Sequence, residues 1–360
     1  MRLSVVFVHF HTPELAARAV AAVRRQAAEP AASGLEVEIL VVDNGSDATG
    51  RERLAALPAI LLEPGTNLGY AGGVNLGARH ATGEALAFAN PDVEPLPGCL
   101  PALIDTLAAG AGVAGPRLYW DGGRRLLLPP AERRDRASEL LDRLATRGDP
   151  WVRRARARWR RHARRHWEAA EPLASRHLSG ALLAVSRPAW ERVGPFDEGY
   201  RLYFEETDWL WRAARLGVPV VHQPRAEGVH RYNRSAAGRP EAVAWFEESR
   251  RRFGRRWYGA TFRRLADAVT GGPGREPDWP PPLAPAAGPP RFAREGGAAP
   301  AWVEVSPSAA GYPAAGERLE AGSAGWELPA EVWEDLAPGR YRVTLVDEAG
   351  REGAAWSFRR

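Results

Sequence analysis

Glu205, Glu206 and Asp208 fall within four residues of one another at the head of an amphipathic stretch, FDEGYRLYFEETDWLWRAARLG (196–217). Carboxylates at a helix N-terminus are favoured as anions by the macrodipole, so one of them can take a proton from a hydroxyl. A plainer reading stands beside this one: acids belong in first turns, and Asp208 with Arg212 makes an i, i+4 pair. A second acidic cluster, NPDVEP (90–95), follows the apolar run EALAFA. Asp92 there can ligate Mg²⁺ or Mn²⁺ and so neutralise a diphosphate, or it is a solvated acid in a proline turn. His230, in RAEGVHRYNRSA (225–236), comes within reach of the same metal or phosphate if its loop folds back, and is otherwise a structural or exposed histidine. In VVDNGSDATG (41–50), Asp43 can accept from a nucleobase imide or a ribose hydroxyl, or bond its own backbone in a turn. GTNLGYAGGVNLGARHATG (65–83) places Gly69, Gly72 and Gly73 before a helix containing Asn75, where missing side chains permit close backbone approach to an anion.

Positioning these groups requires a scaffold, and the first 120 residues alternate between strand and helix patterns. LSVVFVHF (3–10) reads as a buried-type strand, VEILVVD (37–43), AILLE (59–63) and EALAFAN (84–90) as three further strands, and Thr12 with Pro13 starts a helix through about Ala27. The pattern predicts an α/β fold with a mostly parallel sheet flanked by helices. His9, Asp43 and Asp92 fall at or just past carboxyl ends of strands, where such sheets bind ligands. The position after the first strand reads HFHTPE in place of G-x-G-x-x-G, which argues against a nicotinamide or flavin enzyme.

Sixteen arginines against eight acids between Asp121 and Leu178 give that segment a net +8, whereas the whole chain carries +5 and has no lysine. The expected organisation is a catalytic domain over 1–270 with this helical, Arg-rich insert at about 121–178, a Pro/Gly-rich linker at 271–294, and a small β-sandwich-like domain at 295–360. The longest apolar runs fall well short of the ~20 residues that span a bilayer. The N-terminus lacks an export signal, and the single Cys99 fits a reducing compartment, so a cytoplasmic location is expected.

Taken in order, VVDNGS, NLGYAGGVNLG, NPDVEP, SGALLAVSR, VGPFDEGYRLYFEETDW and GVHRYNRS resemble the blocks of the rhamnosyltransferase-like branch of family 2 inverting glycosyltransferases, over about Leu3 to Arg234. The resemblance implies a GT-A fold and transfer of a sugar, rhamnose being the family's suggestion, from a nucleotide diphosphate donor to a hydroxyl of a glycan or lipid-linked acceptor. It implies Glu206 as catalytic base with Glu205 and Asp208 as joint candidates, and Asp92 and His230 as ligands of a Mg²⁺ or Mn²⁺ ion. It places His9, Asp43, Asn67, Gly72, Gly73, Asn75 and Asn90 at the donor, Asp43 on the base of the nucleotide. Two positions depart from the family pattern: Asn90 stands where the first Asp of D-x-D is found, and Glu206 where the family's pair has Asp. Asn90 also sustains an alternative, a catalytically silent nucleotide-sugar-binding protein that docks on membrane or partner through its arginine helix.

That helix, WVRRARARWRRHARRHW (151–167), carries eight arginines, two histidines and no acid. Val152, Ala155, Trp159, Ala163 and Trp167 form one stripe, which suits either an interfacial helix at the inner face of the cell membrane or packing on the catalytic domain with the arginines in solvent. No nucleic-acid-binding module surrounds it, and nucleic acid is not an expected partner; self-association is left open. Trp302, Trp326, Trp333 and Trp356 form the core of the C-terminal unit or stack on sugar.

Overall fold

A computed structural model describes residues 1–29, 34–231, 241–271, 274–283, 288–294 and 299–360. In chain order its elements begin β1 (Arg2–His9), α1 (Pro13–Ala27), β2 (Glu36–Asp43), α2 (Ala48–Ala55), β3 (Ile60–Leu62), α3 (Gly69–His80), β4 (Ala85–Ala89), β5 (Val93–Pro95), α4 (Cys99–Ala108) and β6 (Val113–Tyr119). The insert supplies α5 (Arg136–Ala145) and α6 (Asp149–Trp167), followed by β7 (Leu173–Ala174), β8 (Leu182–Ser186), α7 (Arg187–Val193), α8 (Glu205–Arg215), β9 (Val220–His230) and α9 (Glu241–Trp257). The C-terminal part holds α10 (Ala260–Thr270), β10 (Arg291–Ala293), β11 (Ala301–Ser306), β12 (Ala315–Leu319), β13 (Gly325–Glu327), α11 (Ala330–Asp335), β14 (Arg340–Asp347) and β15 (Glu352–Arg359). Two compact units result, one of Met1–Leu118 with Ala169–Trp257, the other of Tyr119–Glu168 with Tyr258–Arg360.

The first unit is built on a nine-stranded sheet in the order β3-β2-β1-β4-β8-β6-β9-β5, with β7 beside β9. The expected parallel strands are its N-terminal half: β1 pairs in parallel with β2 and β4, and β2 with β3. The apolar runs of β1, β2 and β4 are buried on both faces, as Val5, Val6, Phe7, Leu40 and Val42 are, and this continuous apolarity is what parallel strands under helices require, while the edge strand β3 leaves Ile60 exposed. β8 then runs antiparallel to β4, and β5 antiparallel to β9. The register sets His9 opposite Asp43 and Val93 opposite His230, so groups distant in sequence meet at strand ends.

The second unit holds a four-stranded antiparallel sheet, β12-β11-β14-β15, and a two-stranded ribbon, β10-β13. Its boundaries differ from the expected ones. The Arg-rich insert and α10 cluster with the C-terminal strands, and the supposed linker is anchored, with Leu283 N–H donating to Ser357 O and Ser357 N–H to Pro281 O, both at 2.8 Å. Parts of that linker, and Tyr232 to Ala236 of the late sequence block, lie outside the described residues.

The reason for the regrouping is the apolar stripe of α6. Trp159, Ala163 and Trp167 pack with Trp302, Ala314 and Val346, and the indoles of Trp167 and Trp302 stack 5.2 Å apart. Arg160 beside the stripe is buried and bonds Glu304 of β11 at 2.6 and 2.8 Å and Glu352 at 3.1 Å. The expectation of a stripe free to enter lipid is therefore corrected: this unit's own core covers it, leaving Arg153, Arg154, Arg161 and Arg165 in solvent. Trp302 and Trp326 are buried in the same unit, the core role set out above for the C-terminal tryptophans. Among the described residues no helix is long and apolar enough to cross a membrane.

Candidate active site

α8 begins immediately after a strained turn. Tyr203 and Phe204 both have left-handed backbones, φ 64° and 69°, at a cost of about 1 kcal/mol or more each for side chains with a Cβ. Aromatic packing holds the turn, the Phe204 ring lying 5.3 Å from Phe246 and 5.5 Å from Phe253, both on α9. The next two residues are Glu205 and Glu206. Both line a cavity of about 350 Å³ that is also lined by Asn67, Tyr70, Asn90 and His230. Acids and amides drawn from α8, β4, β9 and the turn before α3 thus share one hollow within the first unit.

The two glutamates differ sharply. Glu205 is buried, and its Oε2 has no hydrogen-bond partner among the described residues. Burial first, and then the negative charge of Glu206, push its pKa well above the ordinary carboxyl value, so Glu205 holds a proton where a free carboxyl would not. Glu206 is half-exposed, and Gly180 makes room for it: a Cβ at position 180 would lie 2.8 Å from the Glu206 Cγ. Tyr70 donates its hydroxyl to Gly180 O at 3.3 Å. Burial and the charges of Glu205, Glu206 and Asp92 raise its pKa well above the usual phenol range, so it stays a donor.

Linkage gives Glu205 a sign. Its folded pKa lies above the unfolded value near 4.5, so the stability tied to this proton is complete below that value and is lost as pH rises through the folded one. Glu205→Gln, which mimics the protonated form, is expected to match the parent's melting temperature at pH 4 and exceed it at pH 8; thermal melts at the two pH values check this.

Asp208 is not part of the hollow. Its buried carboxylate accepts from Trp257 Nε1 at 2.8 Å, Tyr200 Oη at 3.3 Å and Arg212 Nε at 3.1 Å, so it is committed to holding α8 against α9. As a candidate base it is corrected, because one helical turn of α8 points Asp208 into the core while Glu205 and Glu206 face the cavity.

At the other side, Asp92 is buried behind the lining with its Oδ1 3.3 Å from His230 Nε2. Among the described residues no group of three His, Cys, Asp or Glu side chains converges as a metal cage. The Asp92 carboxylate is an oxygen donor that fits a hard cation completing its sphere with phosphate oxygens and water, as Mg²⁺ usually does, with the softer His230 imidazole beside it.

The remaining expected donor-site residues mostly support the lining from behind. His9 Nε2 accepts from Thr12 N–H at 2.8 Å, which puts the ring proton on Nδ1, 3.4 Å from Asp43 Oδ1; burial lowers the His9 pKa and keeps the ring neutral. Burial alone would raise the Asp43 pKa, but hydrogen bonds from Ser46, Gly45 and His9 outweigh it and hold the carboxyl below its usual range. Asn44, the next residue, reaches the cavity and ties the two loops together, donating to Gly69 O at 2.9 Å. Asn67 caps α3 by accepting from Gly69 N–H at 2.8 Å. Asn75 is buried against Phe196 and Glu198, to which it donates at 3.0 and 2.9 Å.

Gly73 is also corrected as a ligand-facing position. A Cβ there would lie 2.6 Å from Val8 Cγ1 on β1, so this glycine serves helix-to-sheet contact, whereas a Cβ on Gly72 would lie 2.8 Å from the Cβ of Leu68, the N-cap residue of the same helix. Gly73→Ala is expected to cost about 1–3 kcal/mol by overpacking, read as a lowered midpoint of denaturant unfolding. Phe10, Arg201 and Trp245 also line the cavity, with Arg201 stacked 4.7 Å over the Trp245 ring. Arg201 lies inside the VGPFDEGYRLYFEETDW block and was open to detection there; Trp245 had no signal in the sequence.

Residues 4–167 match the family Glycosyl transferase family 2. An N-acetylglucosaminyl-diphospho-decaprenol L-rhamnosyltransferase of Mycobacterium tuberculosis is 32% identical over 211 residues, which cover 54% of this chain and 66%, just under two thirds, of the relative. An uncharacterized protein of Mycobacterium bovis is 30% identical over 166 residues, 44% of this chain and 49% of its own. A solved mannosyltransferase from Pyrobaculum calidifontis, in complex with GDP-Man and Mn²⁺, covers 76% of this chain and 65% of its own at 20% identity and a TM-score of 0.44.

Proposed function

We propose, from the match of residues 4–167 to Glycosyl transferase family 2, that the chain moves a sugar from a nucleotide diphosphate donor to a hydroxyl acceptor with inversion at the anomeric carbon. The observation that carries the reading is the adjacent Glu205–Glu206 pair opening on a hollow that Asn90 and His230 also line. Two neighbouring carboxyls whose surroundings separate their proton affinities divide the labour of acid–base chemistry. Glu205 keeps its proton, and the half-exposed Glu206 acts as base.

The acceptor hydroxyl gives its proton to Glu206 as its oxygen attacks the anomeric carbon. The bond from that carbon to the diphosphate oxygen breaks, and the electron pair leaves with the diphosphate. One displacement inverts the centre and needs one base, unlike a hydrolase with two opposed carboxyls. Asp92 and His230 are the residues that would hold a divalent cation, whose chemistry is to neutralise charge on the departing diphosphate. The mycobacterial relative's name supports a rhamnosyl donor and a lipid-linked acceptor, which would bring the chain to the cytoplasmic face of the membrane.

The reading is tested by thermal shift with nucleoside diphosphates and their sugars, with and without Mn²⁺, followed by a transfer assay. A ligand that prefers the folded state raises the melting temperature. At least one nucleotide is expected to do so, more strongly with Mn²⁺; no shift with any nucleotide, together with no transfer, refutes the proposal.

A further inference from the structure

The second unit contains a hollow of about 420 Å³ that the proposed reaction does not use. It lies between α5, α6, residues 274–277 and the segment 308–312, all within that unit. Its volume falls in the range of small-molecule sites. The walls are the aliphatic side chains of Leu141, Ala155 and Ala310 and the rings of Trp159 and Tyr312. Charged and hydroxyl side chains complete the lining, and beside the apolar walls the Tyr312 hydroxyl donates to Asp142 Oδ1 at 3.3 Å. Asp142 is exposed to solvent, and partial desolvation with the charge of Glu132 raises its pKa above the ordinary carboxyl value.

The charges around the hollow restrict what can fill it. Arg158 spends its guanidinium on both oxygens of Asp135 at 3.1 Å, and Arg133 joins the same carboxylate at 3.2 Å. Arg275 pairs with Asp278 at 2.7 Å, and Glu132 pairs with Arg134. The cations are committed to protein carboxylates, so a phosphate would have to break existing pairs. An aliphatic chain would cover Asp142 without replacing the water it loses, which is costly for a carboxyl. An uncharged ligand with an apolar face for the rings and hydroxyls that donate to the carboxylate meets both conditions. A sugar ring has both.

We propose that this hollow is a second, non-catalytic site that binds a neutral sugar unit, with Tyr312 and Trp159 as its apolar walls and Asp142 as its hydroxyl acceptor. The site lies apart from the Glu205–Glu206 hollow in the chain's other unit, and its occupancy is independent of whether transfer occurs.

The test is calorimetric titration of the full chain with glucose, rhamnose and N-acetylglucosamine. Phosphate, decanoate and ethanolamine serve as anionic, apolar and amine probes. At least one sugar is expected to bind saturably in the millimolar range. Asp142→Asn and Tyr312→Ala are each expected to weaken it about tenfold, the effect of one lost polar or stacking contact. Ala310→Phe fills the hollow from its apolar side and keeps the test decisive if Tyr312→Ala fails to fold; it is expected to abolish binding while the circular dichroism spectrum and melting temperature stay near the parent's. No saturable sugar binding, undiminished binding in both Asp142→Asn and Ala310→Phe, or occupation by one of the other probes and by no sugar overturns the proposal.

Discussion

Glu206→Gln is expected to lower turnover by about 10²–10⁴-fold, the usual worth of a positioned general base, while donor affinity stays within about twofold. The amide keeps the shape of the side chain in the space above Gly180 but cannot take a proton. A fall in kcat with KM for the donor unchanged identifies an interaction made only in the transition state. The exchange also removes the charge that helps raise the Glu205 pKa, so Glu205 should titrate lower in the variant than in the parent. Steady-state kinetics and carboxyl titration read these two effects separately.

The largest expected effect on stability is at Arg160. Its guanidinium is buried between Glu304 and Glu352, and removing it leaves the Glu304 carboxylate, 1% exposed, without its cation. Breaking a buried pair in this way costs about 3–5 kcal/mol, whereas an apolar replacement of the whole cluster can be neutral. Arg160→Ala is therefore expected to destabilise the second unit by that amount, seen as earlier loss of the fluorescence of Trp159, Trp167 and Trp302. Combining it with Glu304→Leu should recover much of the loss. An unchanged melting curve for Arg160→Ala would mean the pair contributes nothing.

Much of the first unit was legible because its signals are local. The short, β-branched apolar runs of β1 and β2 and the five-residue run of β4 have the length of buried strands, and Thr12–Pro13 marks the start of α1. The site was legible as a set of motifs but not as an arrangement. The spacing of Glu205, Glu206 and Asp208 shows three acids in one turn; which of them faces solvent is decided by Tyr200 and Trp257, and Trp257 lies on a different helix. The glycines before Asn75 carry one signal for two causes, ligand approach and helix-to-sheet contact, and Val8 decides for the second at Gly73. The stripe on α6 was visible from its period, but what covers it depends on Trp302 and Val346, strands later in the chain. Trp245 reaches the cavity only through tertiary placement of α9, which no local pattern encodes.

The most direct measurement is a crystal structure of the Glu206→Gln protein with a nucleotide diphosphate sugar and Mn²⁺, the metal located by anomalous scattering. The account predicts the sugar's anomeric carbon in the hollow lined by Asn90 and residue 206, with manganese bonded to Asp92 or His230 and to the diphosphate. A donor bound elsewhere on the chain, or bound there with residues 205 and 206 turned away from the anomeric carbon, would contradict it.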